Sequence, residues 1–464
     1  RGYNSNAELD FHTDSTDVVA LSCYNKAASG GMSITGHPND PKGPVRAALL
    51  GLGVVALLVL ALGRGRRWWC RRLPAALLIG AGVSAILMVS VDVLWRPFPD
   101  PLPVVAVLWT GLGAAALAMA LLRPARVRMK VLSLVAVACV VISGAAQVNN
   151  HFGAYPTVRT ALGLNLASQV DFSRVPGTTP TLTNAQPGVP LSRNWSPPTS
   201  MPSTGIVSTA SIPGLMSGFR AREAWIYLPP AYLSVPRAQL PVLVLVPGQP
   251  GTPRDWFDGG RLDAVLDSYA AANAGLAPVV VVADPLGSRL AQTLCVDSPA
   301  GHAFTYLSVD VPAWIRSTLQ IDPDPRHWAV GGMSAGGTCA LQLAVNAPAV
   351  YPTFLDISGQ DEPTVGTRRQ TVDQFFGGDP VAFAAVNPLD VLARTRLPDT
   401  AGTIVAGSTD RTYGPQAQRV LAATTAAGVD VRYLELPGGH SWSVWGPGLS
   451  QSLPWLGTRL GLTP

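Results

Sequence analysis

The sequence predicts an α/β domain with a mostly parallel sheet, preceded by an all-α bundle of four transmembrane helices. Three observations lead there. Four apolar runs follow one another at about 47–63, 73–94, 102–122 and 131–148. Short β-rich runs then alternate with helical ones from about residue 205 to the end. Hydrophobic residues make up 48% of the 464 residues and charged residues only 13%, against about 25% charged in an ordinary soluble domain.

Residues 1–44 form a polar, aperiodic N-terminal segment to which no fold can be assigned. Residues 45–148 form the transmembrane region. Each apolar run approaches or exceeds the roughly 17–25 residues needed to span a bilayer as helix. Four such runs, almost free of charge, argue against buried helices of a soluble protein. The loops predict orientation. Arg64, Arg66, Arg67, Arg71 and Arg72 lie between the first two runs, with Trp68 and Trp69 as interfacial anchors. Arg123, Arg126, Arg128 and Lys130 lie between the last two, whereas the middle loop has only Arg96 and Asp100. Positive charge favours the cytoplasmic side, which puts everything after residue 148 outside the cell.

The charge balance excludes a nucleic-acid partner. The net charge is +5, but residues 45–148 hold eleven basic and two acidic residues, which leaves the rest of the chain net negative. No basic stripe suited to a phosphate backbone remains. Residues 149–204 read as an extracytoplasmic linker, with a Pro- and Ser-rich stretch from Asn194 to Thr204 that should be extended. The domain proper is expected over 205–464. Strands are predicted at 223–228, 241–246, 278–283, 328–331, 354–357, 403–406 and 430–436, and helices at 259–273, 309–319, 336–346 and 415–427. Strand–helix alternation implies a parallel sheet covered on both faces.

The chemistry-bearing motif is Gly332-Met333-Ser334-Ala335-Gly336, a G-x-S-x-G between an apolar strand and a helical run. In that context the Ser occupies a sharp strand-to-helix turn that exposes its hydroxyl, and the partners follow in the order Ser, acid, His of an α/β-hydrolase fold. Asp410 comes just after the strand 403–406, and His440 just after the strand 430–436 in Pro437-Gly438-Gly439-His440-Ser441-Trp442. Both thus sit where open α/β sheets place their ligands. Rival acids are Asp356 and Glu435, both inside predicted strands. His440 would activate the Ser334 hydroxyl, and Asp410 would orient the imidazole. An oxyanion needs two donors. The backbone N–H of Ala335 is one candidate, and the loop Pro247-Gly248-Gln249-Pro250-Gly251 offers the other. Pro250 has no N–H, which favours Gln249; a plain tight turn is the alternative. Trp256, Trp442 and Trp445 could bind substrate by stacking or by lining an acyl groove, or could simply pack the core.

These residues resemble the esterase family that includes esterase D and the antigen 85 mycolyltransferases. The resemblance rests on the apolar strand into Pro247-Gly248, Trp256 downstream, Val311-Pro312-Ala313-Trp314-Ile315 before the elbow, the Ser334 motif and the Gly-His440-Ser-Trp ending. It covers about residues 205–464, and the attached bundle is similar to that of membrane esterases of mycobacteria and related actinobacteria. Antigen 85 enzymes are secreted and use Glu as the acid, where this chain offers Asp410. The resemblance implies an extracytoplasmic serine esterase or acyltransferase acting on a lipid or glycolipid acyl ester at the membrane. A lipid- or carbohydrate-binding module without catalysis is the alternative. A third possibility makes the bundle the working unit, and it requires intramembrane charge, for which only Asp92 nearly qualifies. No cofactor is expected. The five cysteines lack metal-site spacing. Cys295 and Cys339 should meet near the active end of the sheet, either as a disulfide, which an exterior domain permits, or as two buried thiols.

Overall fold

A computed structural model describes residues 25–26, 32–33, 44–95, 101–124, 126–164, 166, 168–184, 186 and 188–464. Most of the N-terminal segment 1–44, and Arg96 and Asp100 of the middle loop, lie outside the described residues. The chain divides into two compact units, a helical one of Arg1–Val93 and Leu102–Leu164 and a second one of Leu94–Pro101 and Asn165–Pro464 that contains the sheet.

The helical unit contains α1 (Pro44–Ala61), α2 (Trp68–Trp95), α3 (Val104–Leu122) and α4 (Val127–Phe152). The last three are long and apolar enough to cross a membrane. The 18 residues of α1 rise about 27 Å, just under a typical hydrocarbon core. Small residues let the backbones approach. A Cβ on Gly80 would lie 2.5 Å from Gly111 O, and one on Gly53 would lie 2.6 Å from the Ser143 side chain. Ser143 Oγ donates to Leu49 O at 2.7 Å, and Ser84 Oγ to Val107 O at 2.9 Å. Glycine contacts and serine bridges are the glue of helices that lack a hydrophobic drive toward one another. Large apolar side chains such as Leu78, Ile86 and Leu121 face outward, exposed. Asp92 Oδ1 accepts the Leu102 N–H at 3.0 Å, so this carboxylate is engaged in fastening the α2–α3 connection.

The second unit is built on eight strands: β1 (Ile206–Ala210), β2 (Ala224–Leu228), β3 (Val242–Val246), β4 (Val279–Val282), β5 (Trp328–Met333), β6 (Thr353–Ile357), β7 (Ala401–Gly407) and β8 (Asp430–Leu436). Their order across the sheet is β8-β7-β6-β5-β3-β4-β2-β1. Strands β3 to β8 are parallel, and β2 runs antiparallel to both of its neighbours. This is the α/β-hydrolase fold. The central strands read as unbroken apolar runs, Val-Leu-Val-Leu-Val in β3 and four valines in β4, because both faces are covered. The cover comes from α5 (Leu262–Ala272), α6 (Val311–Thr318), α7 (Ala335–Asn346), α8 (Tyr413–Ala426) and α9 (Trp442–Arg459). Helix α7 is buried from Gly336 to Val345.

Residues from about 165 to 204 do not hang as a tether; they pack on this unit. Leu191 and Trp195 are buried in its core. Trp195 Nε1 donates to Ala274 O at 2.8 Å, and the Leu191 and Ser192 N–H groups donate to Gly461 and Leu462 carbonyls. Leu182–Thr183 pairs with Arg237–Ala238. The prolines do keep the stretch irregular, but its few apolar side chains find core positions.

Candidate active site

The turn at Ser334 follows from the two glycines that flank it, Gly332 and Gly336. Ser334 follows β5 and caps α7 with φ 54° and ψ −126°, a conformation an L-residue holds only under constraint. A Cβ on Gly332 would lie 2.1 Å from Gly336 O, and one on Gly336 would lie 2.3 Å from Val246 O. Both glycines are thus sterically required for strand, turn and helix to close so tightly. The result lifts the Ser334 hydroxyl out of the β5–α7 corner at the C-terminal end of the parallel strands.

His440 and Asp410 arrive from the ends of the two outermost parallel strands. Asp410 follows β7 and His440 follows β8. Ser334 Oγ and His440 Nε2 are 2.9 Å apart, and His440 Nδ1 and Asp410 Oδ2 are 3.1 Å apart. An ionised Asp410 can only accept, so Nδ1–H donates to it and Nε2 is left to accept the serine O–H. Asp410 Oδ1 also accepts the Tyr413 N–H at 2.9 Å and the Thr412 N–H at 3.2 Å. Burial pushes the Asp410 carboxyl up, but the bonds from His440, Tyr413 and Thr412, with the charge of the imidazole, outweigh it and hold the group below the usual carboxylate range. Of the rival acids, Glu435 is exposed on β8. Asp356 is fully buried on β6, where its Oδ1 accepts the Gly359 N–H at 2.9 Å; burial raises it to about 7.

The ring of His440 is held from two sides. Tyr413 stacks on it with centroids 4.0 Å apart, and Trp445 meets it edge-on at 5.0 Å. Tyr413 was not anticipated, since nothing in the sequence marks a helix-start Tyr as a partner of a His 27 residues on. Trp256 corrects an expectation. It is fully buried and its Nε1 donates to Val246 O at 3.1 Å, so it has no face to offer a ligand. Trp442 is 7% exposed and packs edge-on between Trp256 and Trp445. Both serve as packing behind the His440 loop rather than as an open stacking surface.

The loop 247–251 lies against Ser334: a Cβ on Gly248 would be 3.3 Å from Ser334 Cβ. Ala335 is the first residue of α7, where N–H groups have no intrahelical acceptor. Gln249 is buried, with its Nε2 donating to Leu290 O at 3.4 Å. Arg222, also not anticipated, braces this loop. It forms an ion pair with Asp284 at 2.6 Å and donates to Gly251 O at 3.0 Å. Cys295 and Cys339 are joined as a disulfide with Cα atoms 5.4 Å apart. It ties α7 to the loop 293–296. A cleft of about 30 Å³ opens beside Ala335, between Pro247, Leu286, Leu294 and the disulfide.

The family described as Putative esterase matches residues 219–456. An uncharacterized protein of Corynebacterium glutamicum is 38% identical over 419 residues, covering 88% of this chain and 93% of its own length. Among solved structures, a ferulic acid esterase is matched over 100% of its length and 56% of this chain, at 18% identity and a TM-score of 0.49. An S-formylglutathione hydrolase from Agrobacterium tumefaciens is matched over 98% of its length and 57% of this chain, at 17% identity and a TM-score of 0.48. The extent of the family match, together with a relative alike over nearly both whole chains, establishes that this chain belongs to the Putative esterase family.

Proposed function

We propose that this chain is a membrane-anchored serine ester hydrolase or acyltransferase whose catalytic triad is Ser334, His440 and Asp410. The observation that carries the proposal is the continuous hydrogen-bond chain Ser334–His440–Asp410 at the C-terminal end of the sheet. A module that only bound its ligand would have no use for such an arrangement. In the reaction His440 Nε2 takes the Ser334 proton as Oγ bonds to the ester carbonyl carbon. The negative charge that develops on the carbonyl oxygen is met by the N–H groups of Ala335 and Gln249. His440 returns the proton to the departing alcohol, which leaves an acyl group on Ser334. Water or a second alcohol then attacks that ester and gives its proton to His440, which passes it back to Ser334 as the acyl product leaves. Asp410 keeps Nδ1 protonated and supports the imidazolium at each step.

The three long apolar helices support anchoring in a membrane, and the Arg-rich loops support a catalytic unit outside the cytoplasm. The Cys295–Cys339 disulfide fits that oxidising side. The substrate class is a cell-envelope lipid or glycolipid acyl ester, which an anchored enzyme meets in its own bilayer. The test is fluorophosphonate labelling of the full chain in detergent, followed by product analysis with a lipid ester and a panel of envelope sugars as acceptors. A covalent adduct on Ser334 that disappears in Ser334→Ala is expected. Absence of any adduct on the folded protein sinks the catalytic proposal, and free acid alone across the acceptor panel removes its transferase half.

A further inference from the structure

The cleft beside Ala335, about 30 Å³, has room for roughly one water molecule. The surface at this end of the sheet carries a second feature.

The hairpin between β1 and β2 carries Pro213-Gly214-Leu215-Met216-Ser217-Gly218 at its tip. Leu215 is 82% exposed and its neighbour Met216 is 74% exposed. Isolated exposed apolar residues need no explanation, but here the backbone is built to hold the pair outward. Asp310, 4% exposed, accepts the Met216 N–H at 2.8 Å, the Ser217 N–H at 3.0 Å and the Ser217 hydroxyl at 2.6 Å. Gly218 N–H donates to Gly214 O at 2.9 Å, and Phe219 anchors the hairpin against Tyr306 with centroids 5.3 Å apart. A buried carboxylate thus orders a loop whose tip displays apolar side chains to solvent.

Topology puts that tip at the active end. Because β2 runs antiparallel to β4, with Trp225 opposite Val282, the start of β2 and the hairpin before it lie at the end of the sheet that carries Ser334. Arg222, near the base of the hairpin, bonds to Gly251 O in the loop beside Ser334. That same loop bonds to Arg289 O and Leu290 O, and Leu290 is itself 47% exposed. Arg220 and Arg289 are exposed as well. The active end therefore presents apolar side chains together with guanidinium groups, the combination that suits acyl chains below and phosphate headgroups around them.

We propose that the Leu215–Met216 tip is a wedge that dips into an anionic lipid surface and brings the Ser334 site to esters held in that surface. The inference rests on the membrane-ester reading of the function, and its test separates the two. The full chain is placed in lipid nanodiscs of phosphatidylcholine with about one quarter phosphatidylglycerol, some lipids bearing a quencher on the acyl chain. An environment-sensitive fluorophore is attached at Met216→Cys, with Cys23, Cys70 and Cys139 changed to Ser. The control fluorophore sits at Arg326→Cys, before β5 at the opposite end of the sheet. Quenching at 216 and none at 326 is expected. No quenching at 216, equal quenching at both, or association of copies through the tip without quenching overturns the wedge.

Activity supplies the second arm. Leu215→Ser/Met216→Ser should lower kcat/KM for an ester embedded in the nanodisc by about tenfold, the order of effect of losing two apolar anchors from a lipid surface. A water-soluble short ester needs no such surface and should be turned over as before. Equal loss on both esters, or loss on neither, also overturns the wedge. A wild-type chain that turns over no ester defeats the proposed function, while the quenching still decides the wedge by itself.

Discussion

Breaking the Cys295–Cys339 bond should lower the stability of the unit that contains the sheet by an amount set by the loop it closes. The two cysteines are 44 residues apart in sequence. In the chain-entropy account, a loop of that size removes about 13 cal/mol/K from the unfolded chain, or ~4 kcal/mol at 25 °C. Both side chains are buried, Cys295 at 4% and Cys339 at 1% exposed, so Cys295→Ala/Cys339→Ala adds a packing loss to the lost cross-link. Reduced wild-type protein isolates the cross-link alone. The assay is the urea dependence of fluorophosphonate labelling, which reports only the unit that holds Ser334. With a urea slope of about 2–3 kcal/mol/M, the midpoint should fall by roughly 1–2 M on reduction and further in the double variant. Labelling without urea should persist, because the Ser334–His440–Asp410 contacts do not pass through the disulfide. A midpoint that barely moves on reduction would refute the reasoning, since it would mean that α7 and the loop 293–296 stay together in the unfolded chain without the bond.

Two further predictions test the charges around the elbow. Asp410→Asn should lower turnover by about 10⁴-fold, less than Ser334→Ala, because it leaves His440 in place but deprives Nδ1–H of its carboxylate; steady-state rates within tenfold of wild type would remove Asp410 from the triad. Asp356 gives a pH signature: burial raises it to about 7 from 3.8, so the folded state keeps a proton that the unfolded chain releases between those values. Wild-type stability should therefore fall as pH rises from about 4 to 7, by up to ~4 kcal/mol from this group. Asp356→Asn, which cannot ionise, should gain on wild type over that window in urea midpoints measured by limited proteolysis, and the same difference at both ends of the window would rule the effect out.

How much of this was legible in the sequence follows from how local each signal is. The central strands were readable because apolar runs such as Val242–Val246 leave no doubt of burial, and all seven predicted strands occur. Strand β1 was missed because Ile-Val-Ser-Thr-Ala at the sheet edge carries a weak pattern. Helix α9 was missed for a stronger reason. It contains Pro447 and Pro454, each of which argues against a helix interior by about 3 kcal/mol. Tertiary burial of Val444, Leu449, Leu453 and Leu456 overrides that local preference. In the stretch from about 165 to 204 the same holds: Pro and Ser describe the backbone, while Leu191 and Trp195 decide where it goes.

At the site, the same rule separates what could be found from what could not. Ser334, Asp410 and His440 come within hydrogen-bonding distance because each follows a strand, and the ends of parallel strands lie along one edge of the sheet whatever the distance between them in sequence. The Gly residues beside Ser334 marked a turn that only small residues permit, and the close approaches at Gly332 and Gly336 supply the steric reason. Trp256 misled because an aromatic near a motif looks the same on the page whether its ring faces solvent or the core. Arg222 was invisible because its partners, Gly251 and Asp284, are 29 and 62 residues away and belong to separate loops. Those loops follow the parallel neighbours β3 and β4, and Arg222 reaches them only because β2 runs against the direction of β4. That reversal brings the base of the β1–β2 hairpin to the edge where Ser334 stands, so a residue outside the catalytic motifs braces the loop on which the oxyanion donor is proposed to sit. A single antiparallel strand therefore brings two features to the edge that carries Ser334, the brace on the loop 247–251 and the outward display of Leu215 and Met216.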